Sequence, residues 1–220
     1  MSKNDKLNII YEDKMFLVVN KPSGLLTIST QKEKEKTLFH KVFEYIKKKN
    51  KNNKIFILHR LDKDTSGIVM FCKDQKLKFL IQNNWDNLVK LRQYVAIVEG
   101  IPNKEKDSLK AWIKESSTLK TYSTNKKSGR LAITNYMVVT SQNGYSLLEI
   151  EIKTGRKNQI RVQLSDAKMP IIGDKKYGSK KNPINRLGLH ANKLIFINPI
   201  TKKEMVFETD IPDSFVQIIK

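Results

Sequence analysis

Residues 132–140 and 145–152 are two β-type runs separated only by Ser141-Gln142-Asn143-Gly144. Alternation with a period of two puts one face of each run on a core and the other in water. Asn-Gly supplies the left-handed backbone that a tight hairpin requires, so the two runs must pair antiparallel. This one feature commits the chain to an antiparallel sheet. Further strand-type runs occupy residues 15–20, which end in the turn signature Lys21-Pro22-Ser23-Gly24, and residues 68–72. Others lie at 93–99, stopping at Gly100, at 187–197 and at 205–208. Helical spacing predicts three helices. The first is capped by Thr37 and runs to about Lys49, with Leu38, Val42, Tyr45 and Ile46 on one face. The second is capped by Asp74 and carries Leu77, Leu80, Ile81, Trp85 and Leu88. The third is opened by Thr154-Gly155-Arg156 and contains Ile160, Val162 and Leu164. Residues 103–130 read as a short hairpin and loops around Trp112. Strands outnumber helices, so the expected class is α+β: a mixed, mostly antiparallel central sheet with flanking helices.

At 220 residues the chain is expected to form a single domain, 1–220. Its start, Met1-Ser2-Lys3-Asn4-Asp5-Lys6, lacks the apolar core of an export signal. No run approaches the roughly 18 apolar residues of a membrane span, so no membrane partner is expected. Cys72 is the one cysteine, in an apolar run, which excludes an internal disulfide and a cysteine-built metal site and suits a reducing cytoplasm. Forty-two Lys and Arg against 22 Asp and Glu give a net charge of +20, which attracts polyanions, nucleic acid first among them. The excess is mostly lysine. Only Arg60, Arg92, Arg130, Arg156, Arg161 and Arg186 are arginines.

Between the apolar runs 55–58 and 68–72 hangs a polar loop, His59-Arg60-Leu61-Asp62-Lys63-Asp64-Thr65-Ser66-Gly67. Rigid scaffolds place chemistry on such loops. The Asp-x-Asp-x-Ser-Gly spacing imitates a calcium loop, but Lys73 stands where that loop needs a bidentate glutamate. An aspartyl-phosphate loop would place its aspartate directly after the strand, whereas His59-Arg60 intervenes here. The later Gly173-Asp174 is followed by Lys175-Lys176, a poor setting for magnesium. Asp64 reads as a turn aspartate that holds the loop through the hydroxyls and amides after it.

The loop, with other segments in order, resembles the RluA-type RNA pseudouridine synthases. Lys21-Pro22-Ser23-Gly24 is similar to that family's first motif, and residues 59–67 to its aspartate motif. Residues 94–100, Tyr-Val-Ala-Ile-Val-Glu-Gly, resemble its tyrosine strand. Residues 154–162 resemble its arginine motif, and residues 170–178 and 186–191 its closing motifs. The likeness extends from about Ile9 to Phe215. It departs at Asn158, Gln163 and Asn198, which stand where histidines are usual and are neutral hydrogen-bonders at every pH.

The resemblance implies a pseudouridine synthase fold with a central catalytic cleft. It implies isomerisation of uridine to pseudouridine in structured RNA, ribosomal RNA before transfer RNA, by base flipping, with no cofactor and no metal. By the same resemblance Asp62 is the nucleophile or base, and Tyr94 stacks on the flipped base and relays a proton. A carboxylate in a dry cleft rises in pKa by about 3–5 units unless a cation offsets the burial, and Arg161 is that cation. Arg60 fills the gap left by the base, where a planar guanidinium stacks and hydrogen-bonds together. Arg156 and Lys21 contact the RNA, and Asp64, Thr65, Ser66 and Gly67 support the loop. The N-terminal RNA-binding accessory domain of many relatives is expected to be absent, and a cytoplasmic monomer is expected. The competing readings are a non-catalytic RNA-binding protein of the same fold and a magnesium-dependent aspartyl-phosphate phosphatase.

Overall fold

Most of the apolar strands and capped helices form where the sequence pattern puts them, and the described chain divides into two compact units. The structure, a computed structural model, describes residues 7–220. One unit holds the described residues up to Leu91 together with Asn192–Thr209, the other Arg92–Ala191 with Asp210–Lys220. In chain order the elements begin with strands β1 (Ile9–Glu12) and β2 (Phe16–Lys21), helix α1 (Leu38–Lys49), and strands β3 (Phe56–Ile57) and β4 (Ser66–Cys72). Helices α2 (Gln75–Asn83) and α3 (Trp85–Leu88) lead to strands β5 (Val89–Glu99), β6 (Lys106–Glu115), β7 (Thr121–Thr124), β8 (Arg130–Gln142) and β9 (Tyr145–Ile152). Helix α4 (Gln159–Asp166), a 3-10 turn (Lys175–Tyr177), strands β10 (Leu189–Ile197) and β11 (Glu204–Glu208), and helix α5 (Asp213–Ile218) complete the chain.

In the first unit the strands lie in the order β1-β2-β4-β10, with β3 also on β4 and β11 on β10. Every residue of β4 and all but one of β2 are buried, which is why these strands read as unbroken apolar runs. Their core centres on Phe16, Met70 and Phe196, the two phenyl rings meeting edge to face at 5.6 Å. Thr37 caps α1 by accepting from the His40 amide at 3.1 Å. Glu12 accepts from Tyr45 at 2.7 Å, Lys49 at 2.8 Å and Lys73 at 2.9 Å, tying β1 to α1 and to the end of β4. Burial pushes the Glu12 carboxyl up, but these donors outweigh it and hold the pKa at about 2. Asp74 caps α2 through the Leu77 amide at 2.7 Å, as expected. The helix nevertheless stops at Asn84, whose backbone N–H turns back to Ile81, so Trp85 and Leu88 sit on the separate single turn α3 and Leu80 is exposed.

In the second unit the order is β5-β9-β8-β6-β7, and each neighbouring pair is antiparallel. Asn143 and Gly144 both take positive φ, 56° and 74°, as the tight turn between β8 and β9 demands. Helix α4 lies on one side of this sheet, with Ile160 and Leu164 packed among Ala96, Leu148 and Ile150. On the other side Phe215 of α5 covers Val95, Ile97 and Leu147. Residues 103–130 correct the sequence expectation, because β6 is a ten-residue strand. Only one of its faces is packed, and that face carries Asp107 and Glu115 at its ends, so the apolar alternation is short. Helix α4 also starts later than expected, after Asn158 in the left-handed region at φ 53°.

His190, on β10, is 2% exposed. Burial first, then the nearby Arg186 charge, pushes its pKa from 6.5 down to about 4. The unfolded chain therefore takes up a proton that the folded chain refuses between those values. This costs stability as pH falls from about 6.5 towards 4, by about 3 kcal/mol in total. His190→Gln should remove that increment. In urea melts at pH 7 and pH 4.5, the variant should lose about 2.4 kcal/mol less than the parent on acidification; equal losses would refute the assignment.

Candidate functional site

In the first unit the loop between β3 and β4 is fixed from outside by the segment that follows β2. Register places Lys21 opposite Gly67, where β4 begins. Lys21 is 0% exposed, and its ammonium donates to the carbonyls of Pro22 at 2.9 Å, Leu25 at 2.7 Å and Lys63 at 2.8 Å. The Ser23 hydroxyl donates to the Asp64 carbonyl at 2.6 Å. The Thr27 hydroxyl donates to the Leu61 carbonyl at 2.6 Å and accepts from the Leu61 amide at 3.3 Å. The carbonyls of residues 61, 63 and 64 are thus all held by side chains of residues 21–27. Asp62 stands in the middle of this strapped stretch and is half-buried. His59 accepts from the Met70 amide through Nε2 at 3.2 Å, with its ring 5.4 Å from that of Trp85. The loop is therefore anchored at both ends.

These contacts revise two sequence expectations. Lys21 is an interior clamp, and an RNA phosphate has no access to it. Asp64 is exposed; its carboxylate takes no hydrogen bond among the described residues, and it supports the loop through its main-chain carbonyl instead. Thr65, Ser66 and Gly67 are buried, and Gly67 has φ 116°, a conformation that side chains rarely adopt. Arg60 is exposed.

In the second unit Tyr94 lies half-buried on β5 and packs against the cluster that includes Ile160 and Leu164. Arg161, on α4, is 9% exposed. Its Nε and Nη2 donate to the two oxygens of Asp174 at 2.6 and 2.8 Å, and Nη1 donates to Asn158 Oδ1 at 2.9 Å. The guanidinium lies 4.9 Å from the centre of the Tyr177 ring. A bidentate pair with a stacked ring fixes the plane of the guanidinium as well as its position. Asp174 is thereby engaged as an arginine partner. Its pairing with Arg161 is not evident from the sequence, where its one visible signal is its place in the Gly173-Asp174 closing motif.

The start of α4 is built by side chains. Gln159 Oε1 accepts from the Thr154 hydroxyl at 2.7 Å and the Arg156 amide at 3.1 Å, while Gln159 Nε2 donates to the Ile133 carbonyl at 3.0 Å. Arg156 is exposed beside this knot, with Nε on the Leu131 carbonyl at 3.2 Å. Gln163, also buried, bonds the Thr134 hydroxyl at 2.7 Å and the carbonyls of Leu109 and Ala132 at 2.9 and 3.1 Å.

The sequence model of the RNA pseudouridylate synthase family matches residues 15–166. An uncharacterized RNA pseudouridine synthase of Mycoplasma genitalium is 35% identical over 99% of this chain and 70% of its own length. Ribosomal large subunit pseudouridine synthase D of Borreliella burgdorferi is 36% identical over 87% of this chain and 61% of its own length. Among solved structures, human RNA pseudouridylate synthase domain containing 4 shares the fold. Its TM-score is 0.78 at 24% identity, covering 95% of this chain and 90% of that one.

Replacing Lys21 by Met keeps the aliphatic stem and strips the donors from three carbonyls. Each buried, unsatisfied carbonyl costs about 1–3 kcal/mol, so Lys21→Met should lower unfolding stability by about 3 kcal/mol after partial relaxation. A denaturant melt measures this. A variant of unchanged stability with a shallower salt dependence of RNA binding would return Lys21 to the phosphate-contacting surface.

Proposed function

This chain belongs to the RNA pseudouridylate synthase family and isomerises uridine to pseudouridine in RNA; we propose that Asp62 carries the chemistry and that ribosomal RNA is the substrate. The single observation that supports Asp62 most is the strapping of its loop, because the carbonyls of Leu61, Lys63 and Asp64 are each fixed by a side chain from outside it. Precise placement of one reacting group is what a rigid loop contributes to a rate. In the reaction the C1′–N1 bond breaks and a C1′–C5 bond forms. The C5 proton is lost and N1 ends protonated, so the balance needs no oxidant, reductant or energy source.

A target uridine must leave its stack before its sugar carbon is reachable, at a cost of a few kcal/mol. The exposed Arg60, two residues before Asp62, takes the vacated place by stacking and hydrogen bonding. The Asp62 carboxylate acts as nucleophile or base on the extruded nucleoside. The Tyr94 ring stacks on the uracil, and its hydroxyl moves a proton late in the reaction. Arg161, its plane held by Asp174 and Asn158, supplies the positive charge that keeps a carboxylate ionised out of water. Arg156 contacts phosphate near the start of α4. The enzyme acts as a cofactor-free cytoplasmic monomer in this reading.

Asp62→Asn keeps the size of the side chain and removes its charge. It should reduce pseudouridine formation at least about a thousandfold while leaving RNA affinity within about twofold. Product is read by mass spectrometry of digested RNA and affinity by filter binding. Retained turnover would transfer the chemistry to another group, and a parallel collapse of affinity would make Asp62 a binding residue.

A further inference from the structure

Strand β6 separates its charges by face. Lys106, Lys110, Trp112 and Lys114 point to one side, and Asp107 and Glu115 to the other. The acidic side meets α4: Ile113 packs on Val162 and Tyr177, and Glu115 pairs with Lys157. The lysine side is open. Register extends it across the neighbouring strands, with Tyr122 of β7 opposite Lys114 and Met137 of β8 opposite Lys106. Tyr122 and Met137 are 42% and 48% exposed, and the ammonium of Lys126 sits 6.0 Å from the Trp112 ring centre. The first carboxylates met along this face are Glu149 and Glu151 on β9, beyond Met137 and Asn135. Further on, α5 covers the same side of the sheet, Phe215 lying on Val95 and Leu147. The face left open by α5 is therefore the basic and aromatic one.

We propose that this face of β6, β7 and β8 is a docking surface for a segment of RNA outside the target nucleotide. Lysine enrichment alone scatters charge, whereas here β6 puts every acid it has on the packed side. The three lysines form a row about 26 Å long at strand spacing, enough to follow a backbone over several phosphates. The Trp112 and Tyr122 rings beside the row favour RNA over an acidic protein segment, because any base stacks on an aromatic face. Tyr94 and Arg161 lie on the α4 side, and β7 is the edge strand of this unit. A folded RNA with its target on the α4 side reaches the open face by passing round β7. The proposal rests on the reading of the chain as an RNA-modifying enzyme and adds a second contact for the same substrate.

The test compares the parent with Lys106/Lys110/Lys114→Gln, with the same triple changed to Arg, and with Tyr122→Ala. Binding of a large-subunit ribosomal RNA transcript is followed across salt, and turnover is measured on the same transcript. The Gln triple should weaken binding about tenfold near 0.15 M salt and make the log–log salt slope shallower by about 2, since each lost contact to a single strand removes about 0.7. The Arg triple should keep parental affinity, and Tyr122→Ala should weaken binding without changing the slope. At saturating RNA the kcat of every variant should equal the parent's, so the loss appears in KM alone. Affinity and slope unchanged in the Gln triple would overturn the proposal and leave the face to an acidic protein. Loss of affinity in the triple, in a parent that forms no pseudouridine, would uphold the face while rejecting the enzymatic reading.

Discussion

A buried ammonium governs the loop that carries Asp62. A lysine in the interior is tolerated only when its hydrogens are taken up, and Lys21 meets that demand with the carbonyls of Pro22 and Leu25 after β2 and of Lys63 in the β3–β4 loop. Because it bonds main chain, it constrains where residue 63 lies without constraining what the loop's side chains are. Ser23 and Thr27 act the same way on residues 64 and 61. The side chains of Arg60 and Asp62 take no part in this strapping of the backbone beneath them.

The second unit orients a cation by comparable means. Asp174 and Asn158 receive Arg161, Tyr177 lies beneath it, and the Tyr177 hydroxyl in turn accepts from the Thr121 amide at 3.2 Å. Here the replacement of histidines by amides acquires a physical meaning. Asn158 gives its oxygen to Arg161 and its NH₂ to the Thr121 hydroxyl at 3.3 Å, and the side-chain oxygen of Asn198 accepts the amides of Ile200 and Thr201. Both amide side chains fill structural positions with groups that never titrate, as does the buried Gln163. None of them need move a proton for an aspartate-dependent reaction.

Much of this was legible in the residues themselves. The β8–β9 hairpin, the buried strands β2 and β4, and the Thr37 and Asp74 caps follow from alternation, apolar runs and cap chemistry. What was hidden is hidden for physical reasons. β6 has a solvent face made of lysines, so its pattern is that of a loop. α5 has six residues and no side-chain cap, and tertiary packing of Phe215 defines it. The burial of Lys21 depends on carbonyls that no spacing reveals, and a lysine in a basic chain reads as surface. Asp174 stands beside two lysines in sequence, while its partner Arg161 lies thirteen positions earlier on a different element, a pairing that only the fold creates.

The central claim is that the carboxylate at position 62 converts uridine in cellular RNA. The most direct measurement is a pseudouridine map of total RNA from cells lacking this gene, complemented with the parent chain or with Asp62→Asn. The account predicts a modified position, in ribosomal RNA, that disappears with the gene, returns with the parent and fails to return with Asp62→Asn. Restoration by Asp62→Asn, or a map that does not change when the gene is removed, would contradict it.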